Sequence, residues 1–217
     1  MAAPETFVRN LGFDDIEVTG AKVKLRPLTD ADTEPAWDLV HDNREILKWL
    51  LWDGPVDKDE LAKTWREQWP EEMRQGKSYR LAIEPLEGPK FAGVISLKLP
   101  HYTNSPASVE IGYWLGIPYW NKGYMTEAIG LACCFAFTCL DAVRVASTVF
   151  ADNFASRRAL EKNGFTTDGR LRRDVFKYGQ WQDTFFMSLL SEEWRESHLE
   201  PCSVRLVPHV EPPGMSK

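Results

Sequence analysis

What this 217-residue sequence lacks narrows its function before any motif is read. It has only four cysteines, Cys133, Cys134, Cys139 and Cys202. They form no CxxC pair and no Cys/His set at zinc-finger spacing, so neither a metal site nor a disulfide framework is signalled and reduced, buried thiols are expected. It has no long Lys/Arg block, and 26 basic against 32 acidic residues leave a formal charge of -6. Phosphate neutralisation needs clustered cations, so a nucleic-acid partner is disfavoured and an amine-bearing one fits better. The start of the chain shows no charged-then-apolar pattern, and the longest apolar run, Ala128 to Leu140, is shorter than the roughly 20 residues of a helical membrane span. A cytoplasmic protein with no membrane contact is expected. The patterns GxGxxG, GxxxxGK[ST], HExxH and GxSxG are all missing, which removes the usual dinucleotide, P-loop, zincin and hydrolase-elbow chemistries.

What is present suits one well-buried domain: 43% of the residues are apolar, and the length does not call for two cores. Residues 1–20 read as an N-terminal extension, 21–199 as the domain, and 200–217 as an extended tail, because Pro201, Pro208, Pro212 and Pro213 crowd it. Ala21 to Arg26 alternates as a strand. Thr29 or Asp30 can cap a helix to about Asp42, and a second, polar-rich helix spans Asp57 to Gln75, stopped by Gly76. Tyr79 to Glu84 and Phe91 to Leu99 form a hairpin, followed by a strand at Ser108 to Leu115. Met125 to Leu140 is a helix apolar nearly all round, hence buried. Val143 to Phe150 is a core strand, and Asn153 to Asn163 a helix ended by Gly164. Phe165 to Lys177 and Gln180 to Leu190 make a last hairpin about Tyr178-Gly179, before a short helix at Glu192 to His198.

The chemistry concentrates where the strand ending at Leu115 gives way, through a loop with Gly123, to the long helix. A helix start leaves backbone N–H groups unpaired and carries about half a positive charge, so it can hold an anion without a basic side chain. Gly123 then has two readings: plain turn geometry, or close approach of a ligand to the main chain. Lys122 could add a charge at the rim.

Three blocks decide between them: Glu110-Ile-Gly-Tyr-Trp-Leu115, Tyr119-Trp-Asn-Lys-Gly-Tyr-Met-Thr-Glu-Ala128 and Asn153-Phe-Ala-Ser-Arg-Arg-Ala-Leu-Glu-Lys-Asn-Gly-Phe165. Together they resemble the GNAT superfamily of N-acetyltransferases, and within it the RimJ/RimL-like branch, from about Val23 to Leu190. The resemblance implies an α/β (α+β) fold whose mixed central sheet of about seven strands is splayed in the middle and flanked by helices. It implies acetyl-CoA as the donor, with its pyrophosphate on the main-chain amides of Asn121, Lys122, Gly123, Tyr124, Met125 and Thr126. The pantetheine arm would lie along Tyr113, Trp114, Leu115 and Gly116, and Asn153 and Ser156 match residues that reach the cofactor, Ser156 at the leaving sulfur. Asn153 is also a good N-cap, and Ser156 could simply bond to backbone. The superfamily pattern Gln/Arg-x-x-Gly-x-Gly/Ala is broken here by Trp120 and Met125.

Acetyl transfer needs a neutral amine, whereas a lysine-type amine has a pKa of about 10.4 and an α-amine about 8, so a base is expected. Glu110 is the first candidate, since strand alternation turns it away from Val109, Ile111 and Tyr113. Asp174 is the second, because the matching strand of this branch carries an acid one position away. Trp37, Trp49, Trp52, Trp65 and Trp69 fall in the segments that line the acceptor side by family analogy, with Tyr178 and Trp181 in the last hairpin able to close over it. Packing alone is the competing reading of these aromatics. The acceptor is an amine-bearing small molecule or a peptide N-terminus. A non-catalytic acyl-CoA-binding regulator is the alternative function, and a homodimer is compatible with the sequence.

Overall fold

A computed structural model of the chain describes residues 11–99, 107–196 and 202–210. Nine strands form one mixed sheet in the order β7-β8-β6-β5-β4-β3-β2-β1-β9. In chain order the strands are β1 (Phe13–Thr19), β2 (Val23–Pro27), β3 (Ser78–Pro85), β4 (Gly93–Lys98), β5 (Ser108–Leu115), β6 (Arg144–Phe150), β7 (Thr166–Lys177), β8 (Gln180–Leu190) and β9 (Ser203–Pro208). The helices are α1 (Thr33–Val40), α2 (Arg44–Leu47), α3 (Lys58–Lys63), α4 (Trp69–Arg74), α5 (Tyr124–Thr138), α6 (Phe154–Glu161) and α7 (Ser191–Glu196). Every neighbouring strand pair with a recorded register is antiparallel except β5 with β6.

Seven of these strands lie where alternation placed them. The other two, β1 and β9, come from the segments read as an extension and an extended tail, and they pair with each other from Phe13↔Pro208 to Thr19↔Ser203. Val204 and Leu206 pack on the core while Arg205 reaches Asp15 at 2.8 Å. Proline punctuates this strand without breaking it because it is an edge, where one row of N–H groups has no ladder to make. Cys202, just before β9, is joined to Cys134 of α5 as a disulfide, with Cα atoms 6.8 Å apart. That corrects the expectation of four reduced thiols; Cys133 and Cys139 are free. The pairing joins residues 68 apart, which no local spacing signals.

Strand alternation sorts the sheet into two packed faces. Leu81, Ile83, Ile95, Leu97, Val109 and Ile111 join the cluster that contains the buried side of α5. On the opposite face Ala82 and Val94 meet Leu61 and Trp65. Burying a side chain such as Phe135 or Leu97 contributes roughly 1.5–3 kcal/mol, so these clusters fix which way β4 and β5 face. The helix expected at Asp57 to Gln75 is interrupted between α3 and α4, where the Trp69 N–H reaches back five residues to the Thr64 carbonyl. Pro70 explains the widening, since it has no N–H to continue an α-helical ladder. Among the described residues no helix is long and apolar enough to cross a membrane.

Candidate functional site

The central strands part. β5 and β6 pair only at Ser108, Val109 and Glu110 with Arg144, Val145 and Ala146. Each then runs on, held from its outer side: β5 by β4 as far as Leu115, β6 by β8 as far as Phe150. At the apex the Ser147 hydroxyl donates to the Ile111 carbonyl at 3.1 Å. Beyond it the inner edges of both strands face a gap, and backbone groups there are suited to an amide-bearing ligand arm. A cavity of about 970 Å³ opens into this gap and runs past it on both sides.

One side is made by the turn into α5. Asn121 and Gly123 both have positive φ, 60° and 81°, which curls residues 121–123 so that the helix starts abruptly. No side chain caps Gly123, so the first-turn N–H groups of α5 are left for a ligand. Trp120, at the position where the superfamily carries Gln or Arg, donates its indole N–H to the Leu115 carbonyl at 2.7 Å. It therefore staples the turn to the end of β5. Glu127, in the first helical turn, faces away and accepts the Lys22 N–H at 2.7 Å. The Lys22 ammonium lies 3.2 Å from where a Cβ on Gly123 would stand, bringing a cation to the turn.

α6 completes this side. Asn153 caps it by accepting the Ser156 N–H at 3.1 Å, and the Ser156 hydroxyl shares a hydrogen bond of 2.9 Å with the Tyr113 hydroxyl. Burial pushes the Tyr113 phenol above its ordinary range, so it stays a neutral hydrogen-bonding group. Asn163 ties the two helices by donating to the Thr126 and Ala159 carbonyls, each at 2.9 Å. Arg158 and Lys162 line the cavity from the same helix as Ala155 and Ala159. This uncapped helix start, the glycine turn and nearby cations fit the pyrophosphate of a CoA thioester.

The other side is aromatic. Trp49, Trp52, Trp69, Trp114 and Trp120 line it, with Leu50, Leu51 and Val56. Its 49–54 wall is held by Lys177, buried at 7% exposure, whose ammonium donates to the Leu50 carbonyl and, at 3.1 Å, to the Trp52 carbonyl, and pairs with Asp53 at 3.0 Å. The floor comes from β3, β4 and β5: Arg80, Ser96, Lys98 and Glu110. Arg80 is already engaged, ion-paired with Glu72 and lying over the Trp69 ring. Lys98 stands directly across the strand pair from Glu110.

Of the residues expected at the site, Glu110, Tyr113, Trp114, Leu115, Asn121, Gly123, Tyr124, Met125, Thr126, Asn153, Ser156, Trp49 and Trp52 all line this one cavity. Gly116 and Lys122 flank it; Lys122 sits over the Tyr119 ring instead. Asp174 stands outside the lining and accepts a 2.7 Å bond from the Thr184 hydroxyl, while Thr184 itself lines the cavity. Trp37 stacks on His41, Trp65 is core, and Tyr178 and Trp181 lie on the exposed hairpin tip, under Arg44 and beside Phe176 respectively. Those four aromatics do not line the cavity. Residues that had no place in the sequence reading are Lys22, Lys177, Arg158 and Lys162. The last two were legible, because Ala155, Arg158, Ala159 and Lys162 recur at helical spacing on one face; the first two depend on distant partners.

Comparison with known proteins identifies the family. The family profile described as "Acetyltransferase (GNAT) domain" matches residues 22–166. YdaF of Bacillus subtilis, named provisionally as a ribosomal N-acetyltransferase, is 29% identical over 174 residues, covering 79% of this chain and 93% of its own. Spermidine N(1)-acetyltransferase of Escherichia coli is 24% identical over 186 residues, 86% of this chain and 95% of its own. Among solved structures, RimJ of Mycobacterium smegmatis in complex with CoA-disulfide superposes with a TM-score of 0.69 at 25% identity, covering 82% of this chain and 87% of that one.

Proposed function

This chain belongs to the GNAT family and is an acetyl-CoA-dependent N-acetyltransferase; from that premise we propose that it acetylates a primary amine held against Glu110, with no covalent acyl-enzyme. The observation that carries the reading is that Glu110 and the uncapped start of α5 open into one cavity on either side of the strand parting.

Acetyl-CoA supplies the activated acyl group as a thioester. The amides of Asn121, Lys122, Gly123, Tyr124, Met125 and Thr126 hold its pyrophosphate, and Lys22, Arg158 and Lys162 contribute positive charge around it. Backbone groups of Tyr113 to Gly116 align the arm. Glu110, exposed to the cavity, takes a proton from the amine directly or through one water, which makes the lone pair available. Backbone N–H groups at the parted edge stabilise the oxyanion. Ser156, oriented by Tyr113 and by its place in the first turn of α6, donates a hydrogen bond to the departing sulfur. Asp174, one hydrogen bond behind Thr184, supports that side of the cavity and is the second candidate for the base.

A thiol-release assay with acetyl-CoA over a panel of monoamines, polyamines, amino acids, aminosugars and peptides tests this. Release of free CoA that requires both an amine and Glu110 is the expected result. Tight acetyl-CoA binding without release in any amine would instead make the protein an acyl-CoA-binding regulator.

A further inference from the structure

A cavity that selects a polyamine must neutralise several ammonium groups strung along one flexible chain, because each cation removed from water without a partner costs heavily. The acceptor side of this cavity is built the opposite way. Leu51, Trp52 and Val56 line it while 71%, 40% and 90% exposed. Apolar side chains left that wet around a concave site are surface waiting to be covered, and they gain most from an apolar ligand. Behind them the lining is Trp49, Trp69 and Trp114 rather than carboxylates.

The charges point the same way. Among the described residues the floor holds one carboxylate, Glu110, and its cross-strand neighbour is the cation Lys98. A single ammonium can sit at Glu110 before losing its proton, but a second one nearby would meet Lys98. Arg80, further along the floor, is already paired with Glu72 and offers an ammonium no carboxylate. The two remaining acidic lining residues, Asp57 and Glu60, stand at the start of α3, and Asp57 already accepts the Glu60 N–H at 2.9 Å. The wall is also prearranged: Lys177 holds the Leu50 and Trp52 carbonyls from the far hairpin, so the aromatic face need not be ordered by the ligand.

From this we infer that the acceptor is a primary monoamine on an apolar or aromatic body, such as an arylalkylamine or a peptide whose first side chain is aromatic, and not a polyamine. The inference rests on the acetyltransferase reading above, and the two can fail separately. Phenethylamine, a peptide beginning with Phe, and spermidine are compared in two measurements: thiol release with acetyl-CoA, and calorimetric binding to the protein saturated with CoA, where no chemistry can occur. Phenethylamine or the Phe peptide should exceed spermidine at least about tenfold in kcat/KM, the scale on which an apolar pocket discriminates. Whichever of the two is preferred identifies the source of the amine. Trp52→Ser and, separately, the well-exposed Leu51→Ser should weaken binding of that aromatic amine severalfold and leave CoA affinity unchanged.

Spermidine equal to or better than both aromatic amines overturns the inference and leaves the enzyme reading intact. Absence of thiol release from every amine, with aromatic binding that both variants weaken, upholds the inference and removes the enzyme reading. No thiol release from any amine, together with no binding of either aromatic amine, overturns both.

Discussion

The two sides of the cavity are built by different means. The side proposed for the cofactor is main chain: a glycine turn, an uncapped helix start and parted strand edges, all from one continuous run between β5 and α6. The side proposed for the acceptor is side chain: indoles and aliphatic groups from residues 46–69, a floor from β3, β4 and β5, and a lysine from the hairpin over 120 residues away in sequence, at separations of 125 and 127 from the carbonyls it holds. Backbone amides recognise what every acyl-CoA shares, and they cannot mutate. Side chains recognise what differs between amines, and they can. A common donor site joined to a variable acceptor site follows from that division.

The sharpest way to separate the two sides is Glu110→Gln. It should lower kcat about a hundredfold, within the range for removing a general base, while calorimetry finds acetyl-CoA affinity unaltered. Unaltered turnover removes Glu110 from the chemistry and makes Asp174→Asn the next variant to assay. Gly123→Val attacks the opposite side. A β-branched residue at φ 81° stores strain of about 1–3 kcal/mol, so acetyl-CoA affinity should drop by roughly tenfold to a hundredfold. Equal affinity would mean the turn does not hold the pyrophosphate through its main chain.

Lys177→Met tests whether the hairpin shapes acceptor recognition at a distance. Losing charged hydrogen bonds to two carbonyls should raise the KM of the best amine about tenfold with kcat nearly kept, and Lys177→Arg should restore part of it. A matching loss of acetyl-CoA affinity would show that the variant disturbs the whole cavity instead. The smallest effect is expected from Tyr113→Phe. Removing one neutral hydrogen bond to Ser156, worth about 0.5–1.5 kcal/mol, should lower kcat by a few fold without moving either KM. If the KM for acetyl-CoA rises instead, Tyr113 serves to bind the arm and not to orient Ser156.

Legibility followed the same line as construction. Asn153, Ser156 and Gly123 could be found in the sequence because caps, helix starts and turns are local: the residue that makes the contact and the backbone it serves lie within four positions. Trp120 looked like a defect in the motif, yet the structure gives it the work of tying the turn to Leu115. Trp37, Trp49, Trp52 and Trp65 were indistinguishable as aromatic residues near one another. Only packing separated Trp49 and Trp52, on the cavity, from Trp65 in the core and Trp37 stacked on His41.

The sequence alone determined the seven strands β2 to β8, the buried helix α5 and the glycine turn that leads into it, because periodicity, glycine placement and capping act over a few residues and carry their own signal. Tertiary structure decided the rest. It paired β9 with β1 across the whole chain, joined Cys134 to Cys202, set Lys177 under the Trp49 to Asp53 wall and kept Tyr178 and Trp181 of the last hairpin off the cavity lining. Such contacts depend on where distant segments meet once the core has closed, and a linear pattern holds no record of that distance.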